Sequence, residues 1–295
     1  MLGQRLKLAA LTILTASVSA HAADYTRPYQ PPHPVIIQQP PPVEDFAGGW
    51  YLRGDIGFSN QDLGSLGGDI YNGYDSVTSV DKSFDAAPFF GIGLGYTVNN
   101  WLRFDVTGEY RGRANFHGMD IGYVGSTIYP DNYSGSKSEW TFLANAYVDL
   151  GTWYDITPFV GGGVGVSRNT ISSFTDVSNC SGGCGNPGTN TYFDTASKWS
   201  FAWALYAGLA YSVTPNVTIE LAYRYLNLGD AETGSGHSYD GTYTYSPYEF
   251  NDLTSQDIKL GVRFSFGADT EPAPAYYQPP PPVYRPPPPP ISSRG

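Results

Sequence analysis

After its first 22 residues the chain has no apolar run approaching the roughly 18 residues that mark a membrane-crossing helix, which excludes a helical membrane protein. Basic residues are few: 16 Lys and Arg stand against 27 Asp and Glu, a formal net charge of -11. An acidic chain without a basic patch is unsuited to nucleic acid and to charge-driven docking on anionic lipid. Cysteine is almost absent. Its two copies, Cys180 and Cys184, sit in "CSGGC" with no histidine nearby, so a small-loop disulfide of an exported protein is expected and a zinc set is not. The central histidines, His117 and His237, lie in polar stretches of a kind that routinely carries Ser and Asp, so neither a catalytic site nor a cofactor is expected from them. Proline, finally, is scarce where a fold would need its backbone donors. Seven prolines lie between Pro28 and Pro42 and eleven between Pro272 and Pro290, leaving six of the 24 for the long middle. The flanks read as polyproline-II segments that cannot bury a core.

What is present begins with a secretory signal. Arg5 and Lys7 precede the apolar run Leu8 to Val18, and Ala20-His21-Ala22 supplies a cleavage site. The expected division is a signal peptide over 1–22, a Pro-rich segment over 23–45, a folded domain over 46–267 and a Pro-rich tail over 268–295. The whole chain carries 24 tyrosines and 35 glycines with a charged content of only 15%. Eight stretches alternate oily and polar residues, starting at Trp50, Pro88, Trp101, Glu139, Thr157, Lys198, Asn216 and Asp257. Each is long enough to cross a bilayer at barrel tilt, which takes about 9–11 residues. Short connections follow the second, fourth and sixth stretches, and long ones rich in Gly, Ser, Asp, Asn and Tyr follow the odd ones. The pattern predicts an all-β fold, an eight-stranded antiparallel up-and-down transmembrane β-barrel, with long loops outside and both termini in the periplasm.

The polar face then has to fill a lumen. Apolar residues outward place Arg53, Asp55, Arg103, Asp105, Glu109, Arg111, Glu139, Asp149, Glu220, Arg224, Lys259 and Arg263 inward, six cations and six anions. Lys or Arg on the lipid face at mid-bilayer would cost about 2–4 kcal/mol, which fixes that register. Glycines of "GIGLG" and "GGGVG" share the inner face and leave room for long charged chains. Eight strands leave space only for side chains, so a closed, salt-bridged interior is expected, with Glu220 and Asp55 as partners of Lys259 and Arg263. Aromatic residues at strand ends, among them Trp50, Trp101, Trp140, Trp199 and Phe264, suit headgroup girdles.

"GGWYLRGDIGFS", "ELAYRYLNLGD" and "DIKLGVRFSFG" resemble the small OmpA-like outer-membrane β-barrel proteins of alpha-proteobacteria, including rhizobial and Brucella-type surface antigens. The resemblance covers about 46–267 and lacks the family's peptidoglycan-binding domain. It implies an assembly signal ending at Phe266, here followed by a tail. The implied partners are outer-membrane lipids and lipopolysaccharide and the outer-membrane barrel assembly machinery; the Pro-rich tails themselves are expected to be periplasmic spacers or contacts to the cell wall, with plain disorder as the alternative. The expected function is a structural or surface barrel that stabilises the outer membrane and displays loops; the alternatives are a narrow porin-like channel and a loop-mediated adhesin or ligand binder.

Overall fold

The computed structural model describes residues 49–180 and 189–266. Twelve strands account for most of them: β1 (Gly49–Gly67), β2 (Ser76–Phe84), β3 (Ala87–Thr97), β4 (Leu102–Val124), β5 (Thr127–Asp149), β6 (Ile156–Ser178), β7 (Thr189–Phe193), β8 (Ala196–Thr214), β9 (Val217–Glu232), β10 (Gly236–Ser238), β11 (Thr244–Tyr245) and β12 (Glu249–Ser265). Eight of these, β1, β3, β4, β5, β6, β8, β9 and β12, pair antiparallel in that order. β12 then returns to β1 in a register running from Tyr51 opposite Ser265 to Gly67 opposite Glu249. The sheet is a closed eight-stranded barrel. Closure removes the exposed edges that an open sheet of this length would carry.

The chain ends of the barrel meet at one rim, where the Phe266 amide donates to the Trp50 carbonyl at 2.8 Å. Tight connections cluster there too, between β3 and β4, β5 and β6, and β8 and β9. At 99–102 the Asn99 side chain accepts from the amides of Trp101 and Leu102 and closes the turn locally.

At the other end the expected long loops are replaced by sheet. β4, β5 and β6 each run 23 residues, roughly 75 Å at the usual rise, about twice what a bilayer needs. The stretch between Arg111 and Glu139 is a continuous hairpin turning at Gly125-Ser126, and β2 adds to the outer part of β4. "SYDGTYTYSPYEF" forms the small β10–β11 hairpin, which pairs with β7 and does not prolong β9 and β12. Turn-forming composition misled because Gly, Ser and Asn also serve a twisted, water-facing sheet. We call this upper part the crown.

Barrel and crown meet at a ring of irregularities. The ladder shifts at Gly112-Arg113 in β4, at Ser173 in β6, at Gly229 in β9 and near Asp252 in β12. Ser173, Gly229 and Asp252 all have positive φ. Each bulge inserts residues into one strand and exchanges its inward and outward positions.

Below the ring, Leu52, Ile56, Ile92, Val106, Leu205 and Leu260 point outward and are exposed, Ile92 to 73%. Aromatic rings border this apolar band. Phe90, Tyr110, Trp140, Phe142 and Trp199 form an unbroken row on the crown side, with centroids 4.8–6.3 Å apart. Trp50 with Tyr96, and Phe264 with Phe266, do so at the terminal rim, each pair at 5.3 Å.

Candidate functional site: the filled lumen

Odd-numbered residues of β1, β4 and β12 face inward below the bulges, and so do even-numbered residues of β9; this brings their charges together. Arg53 is the hub. Its guanidinium grips Asp55 through Nε and Nη2, both at 2.9 Å, and reaches Asp105 at 2.7 Å, the Tyr147 hydroxyl at 3.1 Å and Glu220 at 3.2 Å. The other Glu220 oxygen takes Arg263 at 2.8 Å and Arg103 at 3.0 Å, and Arg103 continues to Asp149 at 3.2 Å. Upward, Lys259 lies 3.3 Å from Asp55 and 2.8 Å from Glu109. Glu109 meets Arg224 at 2.6 Å, and Asp257 joins Arg224 to Arg111 at 2.7 and 3.0 Å. Arg111 pairs with Glu139, which also holds Lys137.

All twelve charged residues selected by the alternation therefore lie in one connected network. Lys259 touches Asp55, and Arg263 touches Glu220. Two further members, Lys137 and Asp257, escape the sequence reading, although each stands two residues from a selected charge, Glu139 and Lys259. That spacing was the available signal. With them the network holds seven cations and seven anions and is formally neutral. Neutrality matters because each ion loses several kcal/mol of hydration on burial and regains it only from well-placed partners. Aromatic faces complete the cage: the Arg103 guanidinium lies 4.3 Å from the centre of the Tyr147 ring and 4.7 Å from that of Phe159. Glycines provide the space. A Cβ at Gly91 would stand 2.5 Å from Glu109 Cγ, one at Gly93 2.9 Å from Arg53 Cγ, and one at Gly163 would collide with the Asn145 amide.

Above the bulges the lumen changes chemistry. Phe84, Phe116, Phe174, Phe193, Phe250 and Tyr248 pack with Leu66, Ile171 and Leu253 into a dry cluster. Phe116 lies 5.2 Å from Phe250 and 6.1 Å from Phe174, and it is 1% exposed. Sequence alternation does not reveal this plug, because the bulge at Gly112-Arg113 moves the inward set of β4 from odd to even numbers.

The model of the outer membrane protein beta-barrel domain matches residues 8–266. The chain belongs to this family. An uncharacterized protein of Brucella abortus is 31% identical over 251 residues, covering 77% of this chain and 81% of that one. The outer membrane protein PagN of Salmonella typhimurium is 26% identical over 228 residues, covering 74% of this chain and 90% of PagN. Among solved structures, Neisserial surface protein A is 19% identical with a TM-score of 0.40, over 74% of this chain and 97% of that one. Membership in the outer membrane β-barrel family places the protein in the outer membrane.

The remaining expected sites fall elsewhere. Cys184 lies outside the described residues, as do the signal peptide and both Pro-rich segments. Phe266 is the last described residue and closes the terminal rim beside Phe264. His117 sits on the outer face of β4, and His237 on β10, where its Nε2 lies 3.4 Å from Asp194.

Proposed function

We propose that this outer membrane β-barrel is a closed structural and surface protein: it stiffens the membrane and carries its crown outside the cell. The carrying observation is that the lumen is filled twice, by a neutral ion-pair network and by an aromatic plug above it. Water-filled passage would require both layers to part, against the cost of unpaired buried charge below and exposed apolar rings above. The test is single-channel recording with the full chain in planar bilayers. The expected record is flat over many insertions; steady unitary steps would overturn the closed reading.

With the crown outside, the rim shared by Trp50 and Phe266 faces the periplasm, and the cell wall is the partner assigned to the Pro-rich segments. Lipopolysaccharide then covers the outer half of the apolar band. Phe266, paired with Phe264 at the end of β12, is the mark read by the barrel assembly machinery. Phe266→Ala should lower the amount of barrel in the outer membrane while leaving refolding in detergent unchanged; equal amounts in both would remove that role.

A second reading, a displayed binding surface, is favoured by three exposed tyrosines of the crown, Tyr192, Tyr239 and Tyr243. Tyrosine is a favoured contact residue at interfaces. Alanine substitution of all three, with cell-surface attachment unchanged, would remove this reading.

A further inference from the structure

The crown contains an acidic cup that the closed-barrel function does not use. Asp120 on β4, Asp131 on β5 and Asp176 on β6 come from neighbouring strands, Asp120 standing directly opposite Asp131 in the ladder. All three are buried, to 1%, 2% and 8% exposure. Each accepts one tyrosine hydroxyl: Tyr71 to Asp120 at 2.7 Å, Tyr74 to Asp131 at 3.2 Å and Tyr248 to Asp176 at 2.8 Å. Oδ1 of Asp176 has no hydrogen-bond donor among the described residues, and Oδ1 of the other two makes no bond of ordinary geometry, although the Ser178 side chain stands near Asp131 and Lys82 near Asp120. Lys82, 3.7 Å from Asp120, is the single cation paired with the three among those residues. Buried carboxylates of this kind are normally satisfied by partners, so the cup is short of positive charge and of donors.

Of the three, Asp176 lines a cavity of about 510 Å³, which is also bounded by Asp69, Tyr74, Tyr129, Tyr245 and Tyr248. That is the size of a small-molecule site and far larger than a bare ion needs. The described residues hold no group of three His, Cys, Asp or Glu arranged to ligate a metal. Tyrosine faces, by contrast, attract organic cations. We propose that this cavity binds an organic cation carrying a primary ammonium or guanidinium group, seated against the tyrosine rings with an N–H donor on the unpartnered Oδ1 of Asp176. The proposal does not depend on whether the barrel conducts.

The site also carries a pH signature. Burial pushes the Asp176 carboxyl up to about 7, with Asp131 and then Asp120 adding repulsion and the Tyr248 hydroxyl opposing the shift. Burial raises Asp131 as well. The tyrosines Tyr71, Tyr133 and Tyr248 are pushed far above their ordinary range and remain donors. A bound cation requires the ionised carboxylate, so affinity should fall about tenfold in all between about pH 8 and about pH 6.

The experiment is calorimetric titration of the full chain, refolded in detergent micelles, with putrescine and agmatine, using butanediol as the uncharged control and calcium chloride as the bare cation. Saturable binding of the two amines is expected, with none of butanediol. Asp176→Asn should weaken amine binding tenfold or more. Lys82→Gln should tighten it, because the competing internal cation is gone; damage to the fold would not produce that gain, so this variant decides the matter even if Asp176→Asn does not fold. Absence of saturable amine binding, calcium binding in its place, or unchanged affinity in both variants would each overturn the proposal.

Discussion

Arg53 and Arg263 stand directly opposite one another across the β1–β12 seam, and both are held by Glu220 of β9, at 3.2 and 2.8 Å. Two like charges opposite each other across a ladder are destabilising. Here the closing seam of the barrel depends on a third strand to reconcile them. The arrangement makes Glu220 more consequential than its own strand position suggests, because Arg103 leans on the same carboxylate at 3.0 Å.

Glu220→Gln should therefore leave three buried guanidiniums short of an anion. Breaking a buried ion pair from one side costs about 3–5 kcal/mol. Urea unfolding in lipid vesicles is expected to show a loss of that order, whereas removal of the half-exposed Lys198–Glu232 pair should change stability by less than about 1 kcal/mol. Equal effects from the two sites would refute the hub role of Glu220.

Phe250 is fully buried in the plug between Phe116 and Phe174. Phe250→Ala should destabilise by about 3–5 kcal/mol through lost burial and the cavity left behind. It should not produce conductance, since the ion-pair network still closes the lumen beneath. Current through this single variant would show that the plug alone is the seal.

The elevated Asp176 carboxyl gives the crown a pH-dependent stability. The folded state keeps a proton that the unfolded chain, with a carboxyl near about 3.9, has already released. The stability linked to that proton is thus fully present below about pH 4 and lost as pH rises through about 7. Asp176→Asn should slow hydrogen exchange of the upper amides of β6 at pH 8 and change little at pH 4. The opposite order would contradict a protonated Asp176 in the folded crown.

Ile92 faces outward at the middle of the apolar band and is 73% exposed. Ile92→Lys should cost about 2–4 kcal/mol when the barrel is refolded into vesicles, by the penalty for a cation at the bilayer midplane. A water-facing position that is still more exposed, Tyr154 in the β5–β6 turn, should accept lysine at little cost. No difference between the two would contradict lipid contact at Ile92.

Period-two alternation is a local property, and where the strands are regular it suffices. It places Lys259 and Arg263 on the inner face and Leu260, Val262 and Phe264 on the outer face of β12, because consecutive side chains of a strand must point to opposite sides. It also contains the eight barrel strands and the tight turns at the terminal rim. The alternation does not survive the bulges. Phe116 and Asp120 occupy even positions that a continuous strand from Arg111 would turn outward, so neither the plug nor the acidic cup can be read from the pattern.

What the sequence determined by itself was the barrel, its oily exterior and the population of charges inside, all consequences of residue type and spacing along single strands. Tertiary structure alone decided which charges meet. Asp55 touches Lys259 across one strand pair, while Glu109 joins Arg224 and Lys259 across the lumen. Those contacts follow from barrel closure and strand stagger, which bring opposite walls within a side chain's length and are written in no single segment.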